Sequence, residues 1–515
     1  MAEKTWQPAR LIPTSGISGP DEQETRATSA LLAVLPIVRE FGLGLLRPFG
    51  AQSGAIESFI EVPLVTADGR TVRPDGLVRV TRGKSMWTAL VEVKTGTNDL
   101  GRDQLETYLE LARDNGFDVV LTISNQMSPA PGVHPVDVDK RKVRKVQLQH
   151  LSWAEVVSAA VIQRVHHVVS DPEQAWILGE LIRYLQHPRS GALDFSDMGA
   201  AWVPVRESIA AGTLRANDKG VNEAVTRWDQ LLRFAGMRLE RELGSGVQLS
   251  LSRKEQAEPS LRTAALVNGL VTRGCLTGSL GVPNTVGDLF IEADLRTNRC
   301  TVSVAFGAPG EGRPLTRVNW LLRQLADAPG NLRIDAYAHM ARTSMSELLL
   351  TVRENPAVLL ADPRADVRRF RVAATSQLGA KRGTGRGAFI DSVLAALDGF
   401  YEVVLQGLRP WIAKAPQLPK SGSAIADAVI DTTVLPDEQA VDAGAEIEAA
   451  VIADDVEPQA DHLPEATEPV ASDVAEVDPH AGSTAVASTD ELVTWDSQAR
   501  ELEHERSTGV PATEG

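Results

Sequence analysis

The chain has 515 residues, 43% of them apolar, and a formal charge of −16, which leaves room for two or three domains with full cores. Its two cysteines, Cys275 and Cys300, exclude a disulfide framework and a cysteine-rich zinc site. No apolar run approaches membrane-span length and residues 1–6 lack the apolar core of a signal peptide, so a cytoplasmic protein with no membrane association is expected.

The first helical pattern covers residues 21–46, with apolar Leu31, Leu32, Leu35 and Val38 and a kink expected at Pro36. Residues 56–65 read as a strand, and Asp68-Gly69 as the turn leading into the next one. Arg82-Gly83-Lys84-Ser85 reads as a tight turn. A hairpin centred there pairs Leu77 with Leu90, Val78 with Ala89 and Val80 with Trp87, and it sets Asp75 opposite Glu92. Opposed Cβ atoms lie roughly 4.5–5.5 Å apart, so two carboxylates there repel unless a cation or a proton sits between them. Lys94 lies two residues beyond Glu92 and points to the same face, while Val91 and Val93 face a core. Asn98 or Asp99 is expected to cap a helix that stops near Asn115, with Gly116 beyond it. Leu105, Leu109 and Ala112 give that helix an apolar stripe, and Gln104 and Tyr108, four apart, share a side. A strand over 118–124 follows, so strand, helix and strand form a parallel crossover unit.

Residues 153–169, 172–186 and 203–211 read as helices, a helical extension over 156–215. Residues 216–415 read as a second α/β domain. It opens with a long helix at 221–243, has strand-like segments at 246–252, 264–271, 287–294 and 300–306, and has helices at 316–326 and 387–408. Arg364, Arg368, Arg369 and Arg371 precede Lys381-Arg382-Gly383-Thr384-Gly385-Arg386-Gly387 at a helix start. Lys381, Arg382 and Arg386 are therefore candidate nucleic-acid contacts, with an exposed flexible loop as the competing account. The segment lacks the Gly-Lys-Ser/Thr ending of a nucleotide-binding loop. Residues 421–515 carry 23 acidic and 2 basic side chains, net −21, which leaves +5 on the rest. A tail of that composition, over 416–515, is expected to be disordered. Within it Leu492, Trp495, Ala499 and Leu502 have the spacing of a short helix for a protein partner.

The order helix, three strands, helix, strand, taken with Pro74-Asp75, Glu92-Val93-Lys94 and the Gln104/Tyr108 pair, resembles the PD-(D/E)xK nuclease superfamily. The Gln-x-x-x-Tyr spacing is similar to that of its RecB-like branch, and the resemblance covers roughly residues 20–155. It implies a restriction-endonuclease-like αβββαβ core over residues 1–155. It also implies that Asp75 and Glu92 bind Mg2+ or Mn2+, that Lys94 orients the attacking water and stabilises charge, and that Gln104 and Tyr108 contact the substrate or support the site. An acid from the first helix joins the metal shell in that family; Glu24 is the candidate, with Glu57 and Glu61 as rivals. The implied activity is magnesium-dependent hydrolysis of phosphodiester bonds in nucleic acid, DNA being the working expectation, in repair, restriction or defence.

The residue types suit that chemistry, because magnesium takes oxygen ligands and is held by one or two carboxylates plus a phosphate. A partly desolvated Lys94 beside a metal is expected to have a depressed pKa and to take a proton. Blander readings compete. A lone Pro-Asp-Gly is usually a turn and a lone Glu-x-Lys a solvated strand edge. Tyr108 alone reads as core with its hydroxyl at the rim, and Glu24 as an acid favoured by the helix dipole. For the whole protein the alternatives are a non-catalytic nucleic-acid-binding protein that kept the fold, and a stress-response regulatory or interaction protein working through the central domain and the tail.

Overall fold

Gly83 takes φ 60°, and the left-handed turn it permits closes the hairpin that organises the first half of the chain. Arg82 pairs with Ser85, and the register runs back through Val80↔Trp87, Val78↔Ala89 and Leu77↔Leu90 to Gly76↔Val91. The computed structural model describes residues 7–8 and 22–413, apart from 97, 131, 168, 193, 340–342 and 365. The acidic segment 416–515, with Leu492, Trp495, Ala499 and Leu502, lies outside the described residues.

In chain order the first half runs β1 (Gln7–Pro8), α1 (Glu22–Ile37), α2 (Arg39–Leu46), β2 (Ala55–Ile60), β3 (Leu64–Val65), β4 (Thr71–Val72), β5 (Gly76–Arg82), β6 (Ser85–Val93), α3 (Arg102–Asp114), β7 (Val119–Ser124), β8 (Gln147–Ser152), α4 (Trp153–Val165) and α5 (Pro172–Gln186). Six strands form one sheet in the order β1-β2-β5-β6-β7-β8. The pairs from β1 to β6 are antiparallel, and β6/β7 and β7/β8 are parallel. Leu77, Leu90 and Val120 on one face pack against Leu105, Tyr108 and Leu109 of α3. Val78, Val91, Val93 and Ile123 on the other pack with α1, α2, α4 and α5.

The expected kink at Pro36 is a break: α1 and the segment after it meet at 109°. Pro36 has no N–H to give the carbonyl of Leu32. The Ser58 hydroxyl of β2 donates to that carbonyl instead, at 2.6 Å, so the broken helix is tied to the sheet at the break. The expected strand over 56–65 also divides. Glu61 takes φ 49°, Pro63 offers no ladder donor, and β3 leaves to pair with β4 as a separate ribbon. No single helix among the described residues is long and apolar enough to cross a membrane.

The second half runs α6 (Trp202–Ala210), α7 (Val221–Leu243), β9 (Gln248–Leu249), α8 (Arg253–Ala257), α9 (Pro259–Arg273), β10 (Cys275–Gly281), β11 (Leu289–Asp294), β12 (Arg299–Gly307), α10 (Pro314–Gln324), β13 (Arg333–Ala338), β14 (Ser344–Leu348), α11 (Leu349–Glu354), β15 (Val367–Gln377) and α12 (Phe389–Val403). It is mixed α and β as expected, but its seven-stranded sheet, β14-β13-β15-β12-β11-β10-β9, is antiparallel throughout. Residues 264–271, expected as a strand, belong to α9. Pro259 starts that helix, and Leu266 and Leu270, four apart, face the core.

The expected helical extension does not stand as a unit. Trp153, Val156, Leu178 and Leu181 of α4 and α5 complete the first core. Trp202, Val205 and Ile209 of α6 belong to the second.

Candidate functional site

Asp75 ends its turn one residue before β5 begins, and Glu92 is the penultimate residue of β6. The register places them just past the last paired residues, Gly76 and Val91. The Asp75 Oδ2 accepts the Val93 N–H at 2.7 Å, which ties the first acid across to the strand that carries the second. Glu92 is 1% exposed. Its Oε1 lies 2.6 Å from the Lys94 Nζ and accepts from the Gln104 Nε2 at 2.8 Å. The same Gln104 nitrogen donates to the Tyr108 hydroxyl at 3.0 Å, so the two residues of α3 act on Glu92 as one hydrogen-bonded arm.

Glu24 reaches the cluster from the first turn of α1. Its Oε1 accepts from the Lys94 Nζ at 2.9 Å. The rivals do not join: Glu57 and Glu61 are both exposed, on β2 and at its end. The position of α1 is set by a clamp that the sequence patterns did not flag. Gln23 donates to the Arg189 carbonyl at 2.7 Å. Gly191 follows with φ 76°, and a Cβ there would sit 2.6 Å from Gln23 and 2.8 Å from Thr95, so only glycine allows the approach. Asn125 donates to the carbonyls of both Gly96 and Gly191, at 2.9 and 2.8 Å. The Trp153 indole holds the Lys94 carbonyl at 2.9 Å. The one usable signal was the Gly96/Gly191 pair, and only tertiary structure relates them.

Electrostatics follow from this crowding. As a residue Asp75 is half-buried, yet its carboxyl is enclosed. Desolvation and the neighbouring Glu92 push it well above the usual carboxylate range, against the pull of Lys94 and the Val93 N–H. Burial works against the Lys94 ammonium, but the Glu92 and Asp75 carboxylates outweigh it and hold the amine above its ordinary value. The expectation of a depressed Lys94 is thereby corrected: with acids on two sides the side chain is a firmly held cation. Burial, then Glu92, raises the Tyr108 hydroxyl as well.

Two buried carboxylate oxygens, Glu24 Oε2 and Glu92 Oε2, have no hydrogen-bond partner, which is costly unless something electropositive meets them. Among the described residues no group of three or more Asp, Glu, His or Cys side chains is placed to hold a metal ion. The two carboxylates Asp75 and Glu92 fall short of such a group, and only an ion that keeps several waters, as magnesium does, could use a pair of them.

Beside Glu92 in the sheet stands Thr122, the centre of a second polar chain. The His150 Nε2 is 2.7 Å from the Gln126 carbonyl, which makes it the protonated nitrogen and leaves Nδ1 to accept from the Thr122 hydroxyl at 2.7 Å. The His134 Nε2 lies 2.9 Å from that hydroxyl, and the His134 Nδ1 accepts the Val136 N–H at 3.0 Å. Every ring nitrogen is satisfied with both imidazoles neutral. Burial lowers the pKa of each to about 4.

The expected basic patch is not one surface. Arg364 lies before β15, while Arg368, Arg369 and Arg371 lie on it; Arg368 pairs with Asp366 and Arg371 with Asp335. Arg382 faces Asp197 at 3.4 Å, and the Gly385 N–H at the approach to α12 donates to the Asp391 carboxylate. The chain's own acid thus takes a donor that a phosphate would need. Lys381 and Arg386 are exposed. No known protein family, no curated protein and no solved structure matches this chain.

Proposed function

We propose that the protein is a metal-dependent nuclease of the PD-(D/E)xK type, cutting phosphodiester bonds of nucleic acid with Asp75, Glu92 and Lys94 as its catalytic centre. The observation that carries this reading is the convergence of Glu24, Asp75, Glu92, Lys94 and Gln104 from one helix, two strand ends and a second helix, with two buried carboxylate oxygens left without a partner. The strand order supports the finer fold assignment: a helix, three antiparallel strands, a crossover helix and a parallel strand follow one another as in the αβββαβ core.

In this reading Asp75 and Glu92 would hold Mg2+ or Mn2+, and Glu24, paired with Lys94, would be the third acid near it. When bound there, such a cation would supply positive charge to the phosphate and lower the pKa of a water. Lys94, a fixed cation, stabilises charge that grows on the phosphate and keeps the two glutamates apart. Gln104 orients Glu92, and Tyr108 orients Gln104. DNA is the favoured substrate, and Lys381 and Arg386 are candidate backbone contacts outside the centre.

The test is a cleavage assay on single- and double-stranded DNA and RNA with Mg2+, Mn2+ or EDTA. Cleavage should need the divalent ion and fall about a hundredfold or more in Asp75→Ala, Glu92→Ala and Lys94→Ala. Product formed at equal rates by Lys94→Ala and the parent protein would end the proposal. One observation favours a second reading, a nucleic-acid-binding protein that has lost catalysis: the Lys94 ammonium already satisfies one oxygen of each glutamate. Binding of nucleic acid with no divalent-dependent cleavage would select it.

A further inference from the structure

The seven-stranded sheet has one covered face and one open face. Cys300, Val302, Val304 and Phe306 of β12 and Phe370 and Val372 of β15 enter the core, where α12 packs on both strands. Among the described residues the alternate positions turn to the other face, where Ala305, Arg333, Arg369 and Thr375 are exposed, Arg371, Tyr337 and Thr301 are half-buried, and Ser303, Ala373 and Asp335 are buried between them.

The register arranges these side chains in rows across the strands. Arg369 stands opposite Tyr337, Arg371 opposite Asp335, and Arg333 opposite Ala373. The Arg369 guanidinium lies 4.4 Å from the Tyr337 ring centroid. The Arg371 Nη1 meets Asp335 at 3.2 Å and its Nε donates to Ser303 at 3.1 Å. The Arg333 Nε donates to Ser346 at 2.7 Å, and Ser346 in turn donates to Asp335. Asp335 is 5% exposed and neutralises Arg371, so the rows around it keep an excess of positive charge on Arg333 and Arg369; the further acids of this face, Glu292 and Asp294, stand opposite Thr301 and Arg299, away from those two arginines. Phe290 offers a second ring in the row that runs through Ser303 and Ala373 to Arg333. Three strand spacings, roughly 14 Å, separate its strand from that of Tyr337.

We propose that this open face binds single-stranded nucleic acid, with backbone phosphates on Arg333 and Arg369 and an unpaired base stacked on the Tyr337–Arg369 pair. Charge complementarity requires a polyanion. The ring chemistry selects a single strand, since a duplex buries its base faces in its own stack while unpaired bases stack on aromatic and guanidinium planes. A folded protein partner would call for a contiguous apolar centre, and here Phe290, Tyr337 and Leu348 stand apart among Arg, Ser and Thr. The inference rests on the nucleic-acid reading of the catalytic centre for its biological sense, but the surface is a separate one and its test needs no metal.

That test is fluorescence anisotropy of the full chain in EDTA with labelled oligothymidine, oligouridine and a duplex of equal length. The single strands should bind more tightly than the duplex, and the two oligonucleotides distinguish DNA from RNA as the source of the strand. The Arg333→Ala/Arg369→Ala double variant should weaken binding about tenfold and flatten the dependence of log K on log salt by about 1.4, the share of two phosphate contacts to a single strand. Tyr337→Leu should weaken binding about tenfold without changing that slope. Both sites are at the surface, and an unchanged melting temperature checks that the variants fold. Equal affinity for the duplex, no binding by the parent protein, or variants that bind like the parent would each overturn the proposal. Lost sheet binding with metal-dependent cleavage intact removes this inference alone. Sheet binding without cleavage removes the nuclease assignment alone.

Discussion

Lys94 is held between Glu92 and Glu24 at 2.6 and 2.9 Å, and Glu92 has almost no contact with water. Removing the cation strands a buried carboxylate, which costs about 3–5 kcal/mol in such sites. Lys94→Ala should therefore unfold at clearly lower urea in EDTA, and Mg2+ should restore more stability to this variant than to the parent. Equal urea midpoints for the two proteins in EDTA would rule out the ion pair. The imidazoles of His134 and His150 give a pH prediction of definite sign. Well above pH 6.5, the ordinary imidazole pKa, both rings are neutral whether the chain is folded or not. As the pH falls toward 4 the unfolded chain takes up protons that the folded chain refuses, so folded stability is lost across that window. For the well-buried His150 the slope is at most about 1.4 kcal/mol per pH unit. Subtracting the pH profile of a His134→Gln/His150→Gln variant from that of the parent isolates this contribution; a flat difference between pH 6.5 and 4 would refute it.

At the scale of elements, the break in the first helix is informative. Pro36 leaves the Leu32 carbonyl without its helical donor, and Ser58 supplies one from the sheet. Ser58→Ala should cost about 1–2 kcal/mol by leaving a buried acceptor unmet. It should cost less in a Pro36→Ala background, where the helix N–H returns, so a double-mutant cycle should give a non-zero coupling. Additive effects would mean that the two groups do not share the carbonyl. The central hairpin was legible in the sequence because Gly83 fixes the turn and a strand period of two fixes everything after it; so was the pairing of Gln104 with Tyr108, which needs only helical spacing. The bend at Pro36 was legible as a kink, though its size depends on a bond from another element. The antiparallel sheet was the least legible part. Strand β10 carries Gly278 and Ser279 among its apolar residues, and β15 carries Arg368, Arg369 and Arg371, so each resembles a loop until one face is known to meet water. Helix α9, rich in Leu and Val, resembles a strand until Pro259 is recognised as its first residue.

For the molecule as a whole, α7 is the element that ties the two halves together, packing on β9 and β10 of the second sheet and on α4 of the first half. The Gln230 amide donates to the Met127 carbonyl at 2.7 Å. Arg233 donates to the carbonyls of Ser128 and Pro129, and Arg241 reaches Ser158 and Ala154 on α4 at 2.7 and 3.1 Å. The described residues form one compact unit, so both cores should melt together. Trp153 belongs to the first core and Trp228 to the second, and fluorescence of Trp153→Phe and Trp228→Phe variants should give coincident transitions with far-ultraviolet circular dichroism. Two separated transitions would refute a single cooperative body.

The segment from Asn125 to Pro129 has a consequence of its own. At one end Asn125 steadies the ledge of Gly96 and Gly191 behind Lys94. Gln126 holds Asp99 ahead of α3, Met127 in the middle is sunk in the second core, and the Ser128 and Pro129 carbonyls at the other end accept from Arg233. Five consecutive residues thus span the distance between the acid cluster and the larger sheet. Whatever loosens α7 should therefore also loosen that ledge, and faster amide exchange at Gly96 in an Arg233→Ala variant would reveal it.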